Sequence, residues 1–277
     1  MNPSSEPQLK LNDGNSIPQV GLGVWQAKPD ETVIAVREAL QAGYRHVDTA
    51  AIYGNEEGVG QGLRESGVPR EEVFVTTKIW NDAQGKDSTR KALHESLQRL
   101  KLSSVDLLLI HWPTPQRDRF VDTWKTMIAL RDKGLVRSIG VSNFTAAHLQ
   151  RLVNETGVTP VINQIETHPY MQQLEMRKVH ERLGILTEAW SPLAQNRALD
   201  DATIERIAKK HGKTPAQVII RWHLDSNHVV IPKSVTPARI RSNFDVFDFR
   251  LDADDMKAIA ALNRDERLGP DPETFNG

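Results

Sequence analysis

Residues 74–112 decide the fold, and their sequence is FVTTKIWNDAQGKDSTRKALHESLQRLKLSSVDLLLIHW. The apolar runs Phe74–Ile79 and Asp106–Trp112 have the length of buried strands, and the amphipathic segment Asp87–Leu100 between them has the length of a helix. Lys78 and His111 stand near the ends of the two runs, 33 residues apart (111 minus 78), which fits one β/α unit. Because buried strands joined through a helix lie parallel, this stretch predicts part of a parallel α/β sheet.

The same alternation of strand and helix continues from Gly21 to Asp245. The eight predicted strands are Gly21–Trp25, His46–Ala50, Phe74–Ile79, Asp106–Trp112, Ser138–Asn143, Val161–Glu166, Ile185–Trp190 and Val229–Ser234. The predicted helices are Asp30–Ala42, Glu56–Ser66, Asp87–Leu100, Phe120–Asp132, Ala146–Thr156, Gln173–Leu183, Ala202–Lys210, Pro215–Ser226 and Ala253–Leu262. Eight β/α units in about 250 residues favour closure into a (β/α)8 TIM barrel over an open doubly wound sheet.

Segments outside the repeating pattern add to this barrel. An Asp13-Gly14 turn between Gln8–Leu11 and Ser16–Val20 predicts an N-terminal β-hairpin that plugs the bottom of the barrel. A tail that contains Gly and Pro, Leu268–Gly277, follows the last predicted helix. No linker or low-complexity stretch divides the chain, so we expect residues 1–277 to form a single domain.

The composition argues against nucleic-acid and membrane partners. The chain has 277 residues, of which 39% are hydrophobic, and its formal charge is −1, which is typical of a globular protein. Its 35 Lys and Arg residues are interspersed with 36 Asp and Glu residues, so there is no basic surplus for a phosphate backbone. No apolar stretch is long enough to cross a membrane, and the N-terminal region lacks the apolar segment of a secretion signal. The absence of cysteine agrees with a reducing cytoplasm, so we expect a cytoplasmic protein, and we also expect a monomer.

Four polar side chains lie at or just past the C-terminal ends of predicted strands, namely Asp48, Tyr53, Lys78 and His111. Catalytic groups of a (β/α)8 barrel gather at this end. Tyrosine holds its proton too firmly for acid catalysis at neutral pH, but an adjacent Lys78 would lower the pKa of Tyr53, and Asp48 would keep Lys78 charged. Taken singly, each residue has a structural explanation, such as a helix cap, a surface charge, an interface contact or a core histidine. Taken together, they predict a device that delivers a proton to a substrate.

Phosphate binding is predicted near the eighth strand, where Lys233, Ser234 and Thr236 precede Arg239 at a helix N-terminus. Helix-terminal amides and two cations suit a phosphate group. A solvated basic start of a helix is the structural alternative.

Other motifs carry little functional information. The glycine patterns Gly21–Gly23 and Gly58–Gly62 are incomplete as dinucleotide motifs, and a tight strand end and a helix packing contact are the preferred explanations. The histidines show no H-x-H or H-E-x-x-H spacing, so we expect no metal site.

Three stretches of the chain resemble the signatures of the aldo-keto reductases, in the order in which that family has them. They are Gly43–Ala50 with Tyr53–Gly60, then Arg137–Phe144, then Ile231–Ser234 with Arg239 and Asn243. Within the family, the chain is most similar to bacterial 2,5-diketo-D-gluconate reductases, through Trp80–Asp82, Trp112–Pro115 and Leu268–Pro272.

The resemblance implies that a hydride passes from NADPH to a carbonyl carbon while Tyr53 protonates the carbonyl oxygen. Lys78 and Asp48 would assist the proton transfer, and His111 would orient the carbonyl. The residues implied to bind the cofactor are Gly23, Val24, Trp25, Asp48, Ser142, Asn143, Gln164, Trp190, Ser191, Leu193, Gln195, Lys233, Ser234, Val235, Thr236, Arg239 and Asn243. Arg239 with Lys233 would neutralise a 2′-phosphate, so we expect NADPH and not NADH. Ser242 stands where the family commonly has Glu, which weakens the expected contact with the adenine.

The residues predicted to contact the substrate are Trp25, Tyr53, Trp80, His111 and Trp112. Since the loop after Trp190 and the tail are both short, we expect an open site for small, polar carbonyls. The first candidate substrate is 2,5-diketo-D-gluconate, reduced to 2-keto-L-gulonate, and the second is a small 2-oxoaldehyde such as methylglyoxal. Two other functions stay open, an NADP-dependent dehydrogenase of secondary alcohols and an NADPH-sensing subunit without turnover.

Overall fold

Ten strands and ten helices make up the computed structural model, which describes residues 7–277. The strands are β1 (Gln8–Lys10), β2 (Ser16–Pro18), β3 (Leu22–Gly23), β4 (His46–Asp48), β5 (Phe74–Ile79), β6 (Val105–Ile110), β7 (Val136–Ser142), β8 (Ile162–Glu166), β9 (Leu186–Trp190) and β10 (Val229–Val230). The helices are α1 (Pro29–Ala42), α2 (Glu56–Glu65), α3 (Lys86–Leu100), α4 (Phe120–Asp132), α5 (Ala146–Thr156), α6 (Leu174–Leu183), α7 (Ala202–His211), α8 (Pro215–Asp225), α9 (Pro237–Phe244) and α10 (Ala253–Ala260).

Strands β3 to β10 form one parallel sheet in chain order, with each strand hydrogen-bonded to the next. The sheet closes because the chain around β3 also pairs with the chain around β10. Val20 forms a parallel bridge with Val230, and Gly23 forms one with Lys233. The amide of Gly21 donates to the Val230 carbonyl across this seam at 2.8 Å. The predicted (β/α)8 TIM barrel is therefore confirmed.

The N-terminal hairpin covers one end of the barrel, as predicted. β1 and β2 pair antiparallel with Leu9 opposite Ile17, although both strands are shorter than predicted. Leu11 and Ile17 belong to a buried apolar cluster whose other members lie in the barrel, namely Phe74, Leu107, Leu109, Val161, Ile162 and Val229. Phe74 and Val229 are the first residues of their strands, so the hairpin plugs the N-terminal end.

Some predicted strand ends are wrong for local reasons. The eighth strand is predicted to reach Ser234 but ends at Val230, because Pro232 has no N–H to donate to a neighbouring strand. The second is predicted to reach Ala50 but ends at Asp48, just before a single 3₁₀ turn at Ala51–Tyr53. The remaining strands differ from prediction by no more than two residues at either end, where hydrogen-bond ladders are incomplete.

The helices follow the predicted pattern closely. The bounds of α4 and α5 are those predicted, and the other predicted helices differ by one or two residues at an end. Gln173, for example, lies outside α6 because its φ of 53° is left-handed and not helical. Within residues 7–277, no helix is both long enough and apolar enough to span a membrane.

The glycines of α2 are packing contacts and not part of a nucleotide-binding loop. A Cβ atom at Gly60 would lie 2.2 Å from the carbonyl oxygen of Leu100 in α3. One at Gly62 would lie 2.7 Å from the Cβ of Val36 in α1. The helix backbone therefore packs directly against both neighbouring helices, which confirms the structural explanation of this glycine pattern.

Candidate active site

The four predicted catalytic side chains meet at the C-terminal end of the barrel. Asp48 ends β4, Lys78 lies near the end of β5, His111 directly follows β6, and Tyr53 ends the 3₁₀ turn after β4. Lys78 Nζ lies 2.5 Å from Asp48 Oδ1 and 3.4 Å from Tyr53 Oη. The rings of Tyr53 and His111 meet edge to face, with centroids 5.7 Å apart. The structure thus brings the four groups together, and their catalytic roles stay a prediction.

Lys78 is fully buried and is surrounded by oxygen atoms. Besides its contacts with Asp48 and Tyr53, its Nζ donates to the carbonyl oxygen of Thr49 at 2.9 Å. Burial is the largest single influence on the pKa of Lys78 and acts to lower it. The charge and the hydrogen bond of Asp48, together with smaller contributions from Tyr53 and Glu188, outweigh burial and raise the pKa above its ordinary value. Lys78 is therefore an ammonium at neutral pH.

Lys78 acts to lower the pKa of Tyr53, as expected, but the prediction that this pKa is lowered overall is wrong. Burial of the phenol raises its pKa, and the attraction of Lys78 is too weak to reverse this because the nearby Asp48 carboxylate acts in the same direction as burial. Tyr53 is therefore a protonated phenol at neutral pH. The neighbouring Lys78 ammonium would stabilise the negative charge that develops on the Tyr53 oxygen when the phenol loses its proton.

His111 is a neutral imidazole. Burial, together with the adjacent Lys78 ammonium, lowers the pKa of His111 well below its ordinary value. A neutral imidazole carries one N–H donor and one acceptor nitrogen, so it can orient a polar group without adding charge. The backbone fixes its position, because the His111 amide donates to the Ile79 carbonyl at 3.1 Å.

A cavity of about 540 Å³ opens at this end of the barrel. It is lined by all the residues predicted to contact a substrate and by many of those predicted to hold the cofactor. The predicted residues that line it are Gly23, Trp25, Asp48, Tyr53, Trp80, His111, Trp112, Ser142, Asn143, Gln164, Trp190, Ser191, Gln195 and Lys233. Lys78 lies beneath this surface, within contact of Asp48 and Tyr53.

Aromatic rings form one side of the cavity. Trp80 packs edge to face on the His111 imidazole with centroids 5.1 Å apart, and Trp112 packs on Phe275 at 4.6 Å. Trp25 is 47% exposed and stands at the mouth. Such rings give a rigid, apolar wall for a small ligand.

Amide side chains form another part of the rim and connect to the catalytic groups. Trp190 Nε1 donates to Asn143 Oδ1 at 2.8 Å, and Asn143 Nδ2 donates to the His111 carbonyl at 3.0 Å. Gln164 Nε2 donates to Asp48 Oδ2 at 2.8 Å. Asn143 has a φ of 61°, in the left-handed region that asparagine tolerates better than most residues. The rim therefore fixes Asp48 and His111 through hydrogen bonds.

Some predicted cofactor-binding residues lie outside the cavity. They are Val24, Leu193, Ser234, Val235, Thr236, Arg239 and Asn243. Val24 is buried in the hydrophobic core, and the partly buried Leu193 packs against this core. Thr236 is the N-cap of α9, and Arg239 is exposed in the first turn of that helix. The cavity residue Lys233 precedes this helix by a few residues. The predicted helix N-terminus with two cations is thus present beside the cavity.

The C-terminal tail is the part of the site that the sequence did not predict. Leu268, Gly269, Pro270 and Phe275 line the cavity. A short tail was expected to leave this side of the cavity open. Instead, the tail forms part of the cavity wall. The other lining residues that were missed are Gln26, Ile52, Pro192 and Ile231. The only signal for the tail was the similarity of Leu268–Pro272 to one group of reductases.

Two more ionisable side chains were missed, and both are buried deeper in the barrel. His46 precedes Asp48 on β4 and Glu188 precedes Trp190 on β9, with 3.9 Å between His46 Nε2 and Glu188 Oε1. Burial, helped by the Asp48 charge, raises the pKa of Glu188 to about 8. Burial, helped by the Lys78 charge, lowers the pKa of His46 to about 3. The layer beneath the site is therefore largely uncharged at neutral pH, and no group of His, Asp or Glu side chains in residues 7–277 is placed to hold a metal ion.

The sequence matches the model of the aldo/keto reductase family over residues 19–264. An aldo-keto reductase of Mycolicibacterium smegmatis is 58% identical over 270 residues, which cover 98% of each protein. The methylglyoxal reductase DkgA of Escherichia coli K12 is 56% identical over 271 residues, which cover 97% of this chain and 98% of that protein.

Solved structures agree with these matches. An aldo/keto reductase from Brucella melitensis superposes with a TM-score of 0.90 at 57% identity, and the match covers 92% of this chain and 99% of that one. A mutant of Gox0644, solved in complex with NADPH, superposes with a TM-score of 0.95 at 52% identity, and the match covers 98% of this chain and 99% of that one.

Proposed function

The chain belongs to the aldo/keto reductase family, and on this basis we propose that it reduces small 2-oxoaldehydes such as methylglyoxal, with NADPH as the cofactor. When bound, NADPH supplies the hydride for the carbonyl carbon. The protein supplies the proton, the orientation of the carbonyl and a preorganised electrostatic environment.

The observation that carries this proposal is a protonated phenol in contact with a buried ion pair at the edge of the cavity. Tyr53 lines the cavity, and its Oη lies 3.4 Å from Lys78 Nζ. As Tyr53 gives its proton to the carbonyl oxygen, the phenolate that develops is stabilised by the Lys78 ammonium. Asp48 holds this ammonium in place at 2.5 Å. His111, neutral and on the same wall, donates a hydrogen bond that orients the carbonyl oxygen.

The residues present fit NADPH at two places. The rim of Asn143, Gln164 and Trp190 combines amide groups with a flat ring, which suits a nicotinamide with its carboxamide. Lys233 and Arg239 are exposed cations near the N-terminus of α9, which suits a phosphate. These residues would hold the cofactor across the C-terminal end of the barrel.

The charge of the cavity favours an uncharged substrate. Among the lining residues in the described part of the chain, Lys233 is the only Lys or Arg, and it stands at the end assigned to the cofactor. An aromatic wall without a free cation suits methylglyoxal better than a carboxylate. The anion 2,5-diketo-D-gluconate is the second candidate, because the stretches that resemble diketogluconate reductases, at Trp80, Trp112 and Leu268, all line this cavity.

Steady-state oxidation of NADPH tests the proposal, with methylglyoxal and 2,5-diketo-D-gluconate as substrates. We expect turnover of both, with the larger kcat/KM for methylglyoxal. The reverse order would assign the site to the keto-sugar acid. No turnover with any carbonyl of a wider panel would favour an NADPH-sensing protein, and turnover only with secondary alcohols and NADP would favour a dehydrogenase.

The remaining expectations are proposals as well. We also propose that the protein is a monomer. The cytoplasmic location and the absence of nucleic-acid and membrane partners stay predictions.

A further inference from the structure

The carboxylate of Glu166 joins the end of a barrel strand to the C-terminal tail. Glu166 ends β8 and is 1% exposed. Its Oε1 accepts a hydrogen bond from the Leu268 amide at 2.6 Å, and its Oε2 accepts one from the Gly269 amide at 2.9 Å. His168 Nε2 also contacts Oε1, at 2.9 Å. Both oxygens of a single buried carboxylate are thus engaged, and two of the three contacts are with the tail.

Glu166 is ionised in this arrangement. Burial alone would raise its pKa, but the hydrogen bonds from His168 and from the two tail amides outweigh burial and lower the pKa below the ordinary value. An ionised carboxylate only accepts hydrogen bonds, so His168 presents its Nε2–H to it. Charge-assisted hydrogen bonds of this kind are stronger than those between neutral groups.

The tail segment that Glu166 holds lies against Trp190. Trp190 is the partner of Glu166 in the pairing of β8 with β9. A Cβ atom at Gly269 would lie 2.4 Å from Trp190 Cη2, so the tail backbone lies directly on the indole ring. Leu268, Gly269 and Pro270 then form the wall of the cavity beside that ring.

We propose that Glu166 is a positioning residue, which fixes the tail as the outer wall of the substrate cavity and thereby restricts the site to small carbonyl compounds. The inference rests on the function proposed above and extends it. Glu166 touches neither the phenol nor the Lys78–Asp48 pair, so it acts on the substrate only through Leu268 and Gly269. Release of these two amides would widen the cavity on the side of Trp190, weaken the fit of a small substrate and admit larger ones.

Glu166→Gln tests the proposal, with Glu273→Gln as the matched control. Glutamine keeps the size of the side chain but removes the charge and turns one acceptor oxygen into a donor that faces an amide N–H. Glu273 lies in the same tail, and its side chain is exposed. Because each amide loses a hydrogen bond to a charged group, hydrogen exchange of the Leu268 and Gly269 amides should be about 10- to 100-fold faster in Glu166→Gln. The exchange of these amides should not change in Glu273→Gln.

Kinetics supply the second readout. For Glu166→Gln we expect the KM for methylglyoxal to rise about 10-fold, with kcat and the Kd for NADPH within about threefold of the wild type. The ratio of kcat/KM for a bulky aromatic aldehyde to that for methylglyoxal should increase. A merely structural role would lower kcat and NADPH binding together with the melting temperature.

Gly269→Ala displaces the same tail segment without a change to Glu166, because the added Cβ would collide with Trp190. We expect the same rise in KM, and this variant carries the test if Glu166→Gln fails to fold. Unchanged exchange of the two amides in Glu166→Gln, or an unchanged KM and aldehyde selectivity in both variants, would overturn the proposal. If the wild type reduces no carbonyl, the proposed function fails, whereas the exchange rates still decide whether Glu166 holds the tail.

Discussion

The two ends of the barrel are built by the same strands but bury opposite kinds of side chain. Along β5 the interior receives Phe74 at the hairpin end and Lys78 at the other, and along β6 it receives Leu107 and then His111 just after the strand. At the hairpin end, burial removes apolar surface from water and stabilises the fold. At the other end, burial of an unpaired charge is unfavourable, so Lys78 is compensated by Asp48.

The contrast indicates that the hairpin end of the barrel contributes mainly to stability and the opposite end mainly to catalysis. Five residues of one strand, 74 to 78, lead from a side chain that packs in the core to one that belongs to the site. Substitutions at the two ends should therefore have separable effects, and the expected outcomes below test that separation.

The largest effect is expected at the site end, from Tyr53→Phe. Loss of the hydroxyl removes the proposed general acid, so kcat should fall about 10³-fold. Lys78 keeps its contacts with Asp48 and Thr49, so the melting temperature and NADPH binding should stay near the wild-type values. Steady-state kinetics and thermal unfolding measure the two quantities.

Tyr170→Phe is the matched control, because its hydroxyl donates to Asp201 Oδ2 at 2.9 Å and does not line the cavity. This variant should keep kcat. Turnover by Tyr53→Phe at the wild-type rate would refute the assignment of the acid and break the contrast between the two ends.

At the hairpin end, Leu107→Ala should show the opposite pattern. Leu107 is fully buried in the cluster with Leu11 and Ile17, and its truncation should lower the free energy of unfolding by about 2–4 kcal/mol. The site lies at the other end of the barrel, so kcat and KM of the folded fraction should not change. Denaturant unfolding and kinetics at low temperature check both expectations.

Leu174→Ala is the control for this truncation, since Leu174 is 47% exposed and should change stability by less than about 0.5 kcal/mol. A drop in kcat for Leu107→Ala equal to its loss of stability would mean that the two ends are not independent.

Stated per pH unit, the smallest effect concerns His46, whose ring lies 3.9 Å from Glu188 in the layer beneath the site. Its pKa is lowered from the ordinary 6.5 to about 3, first by burial and then by the Lys78 charge. Between these two values the unfolded chain binds a proton that the folded chain does not, so stability falls as the pH falls from 6.5 towards 3. His46 alone should contribute about 1.4 kcal/mol per pH unit in this window.

Denaturant unfolding between pH 6.5 and 4 measures this slope in the wild type and in His46→Asn. We expect a flatter profile for the variant, because one of the groups that gain a proton on unfolding is missing. Other buried histidines with lowered pKa values, among them His180 at about 4 and His223 at about 3, continue to contribute in both proteins. Equal slopes would show that His46 is already protonated in the folded state.

The sequence predicted what depends on local pattern. The bounds of β5, α4 and α5 follow from short apolar runs and helix stop signals, and the position of Lys78 follows from its strand. The convergence of Asp48, Lys78 and His111 required only the rule that parallel strands end on one side.

What the sequence could not provide depends on contacts between distant residues. The tail forms a wall because Glu166 holds amides 102 and 103 residues further along the chain, and no local pattern encodes this contact. The direction of the pKa change of Tyr53 was also wrong, because the prediction counted the charge of Lys78 but not the burial of the phenol, which only the fold reveals. Glu188 gave one usable signal, a charged residue in the middle of a buried strand.

The seam that closes the barrel has a consequence for biosynthesis. Val20 pairs with Val230, so the first barrel strand finds its second neighbour only after most of the polypeptide has left the ribosome. Until then β3 and the growing edge of the sheet expose unpaired backbone groups, which invite pairing with other chains. The hairpin that precedes β3 is local in sequence and can form early, before the seam is complete. A nascent chain halted before Val229 should therefore require chaperones until synthesis resumes.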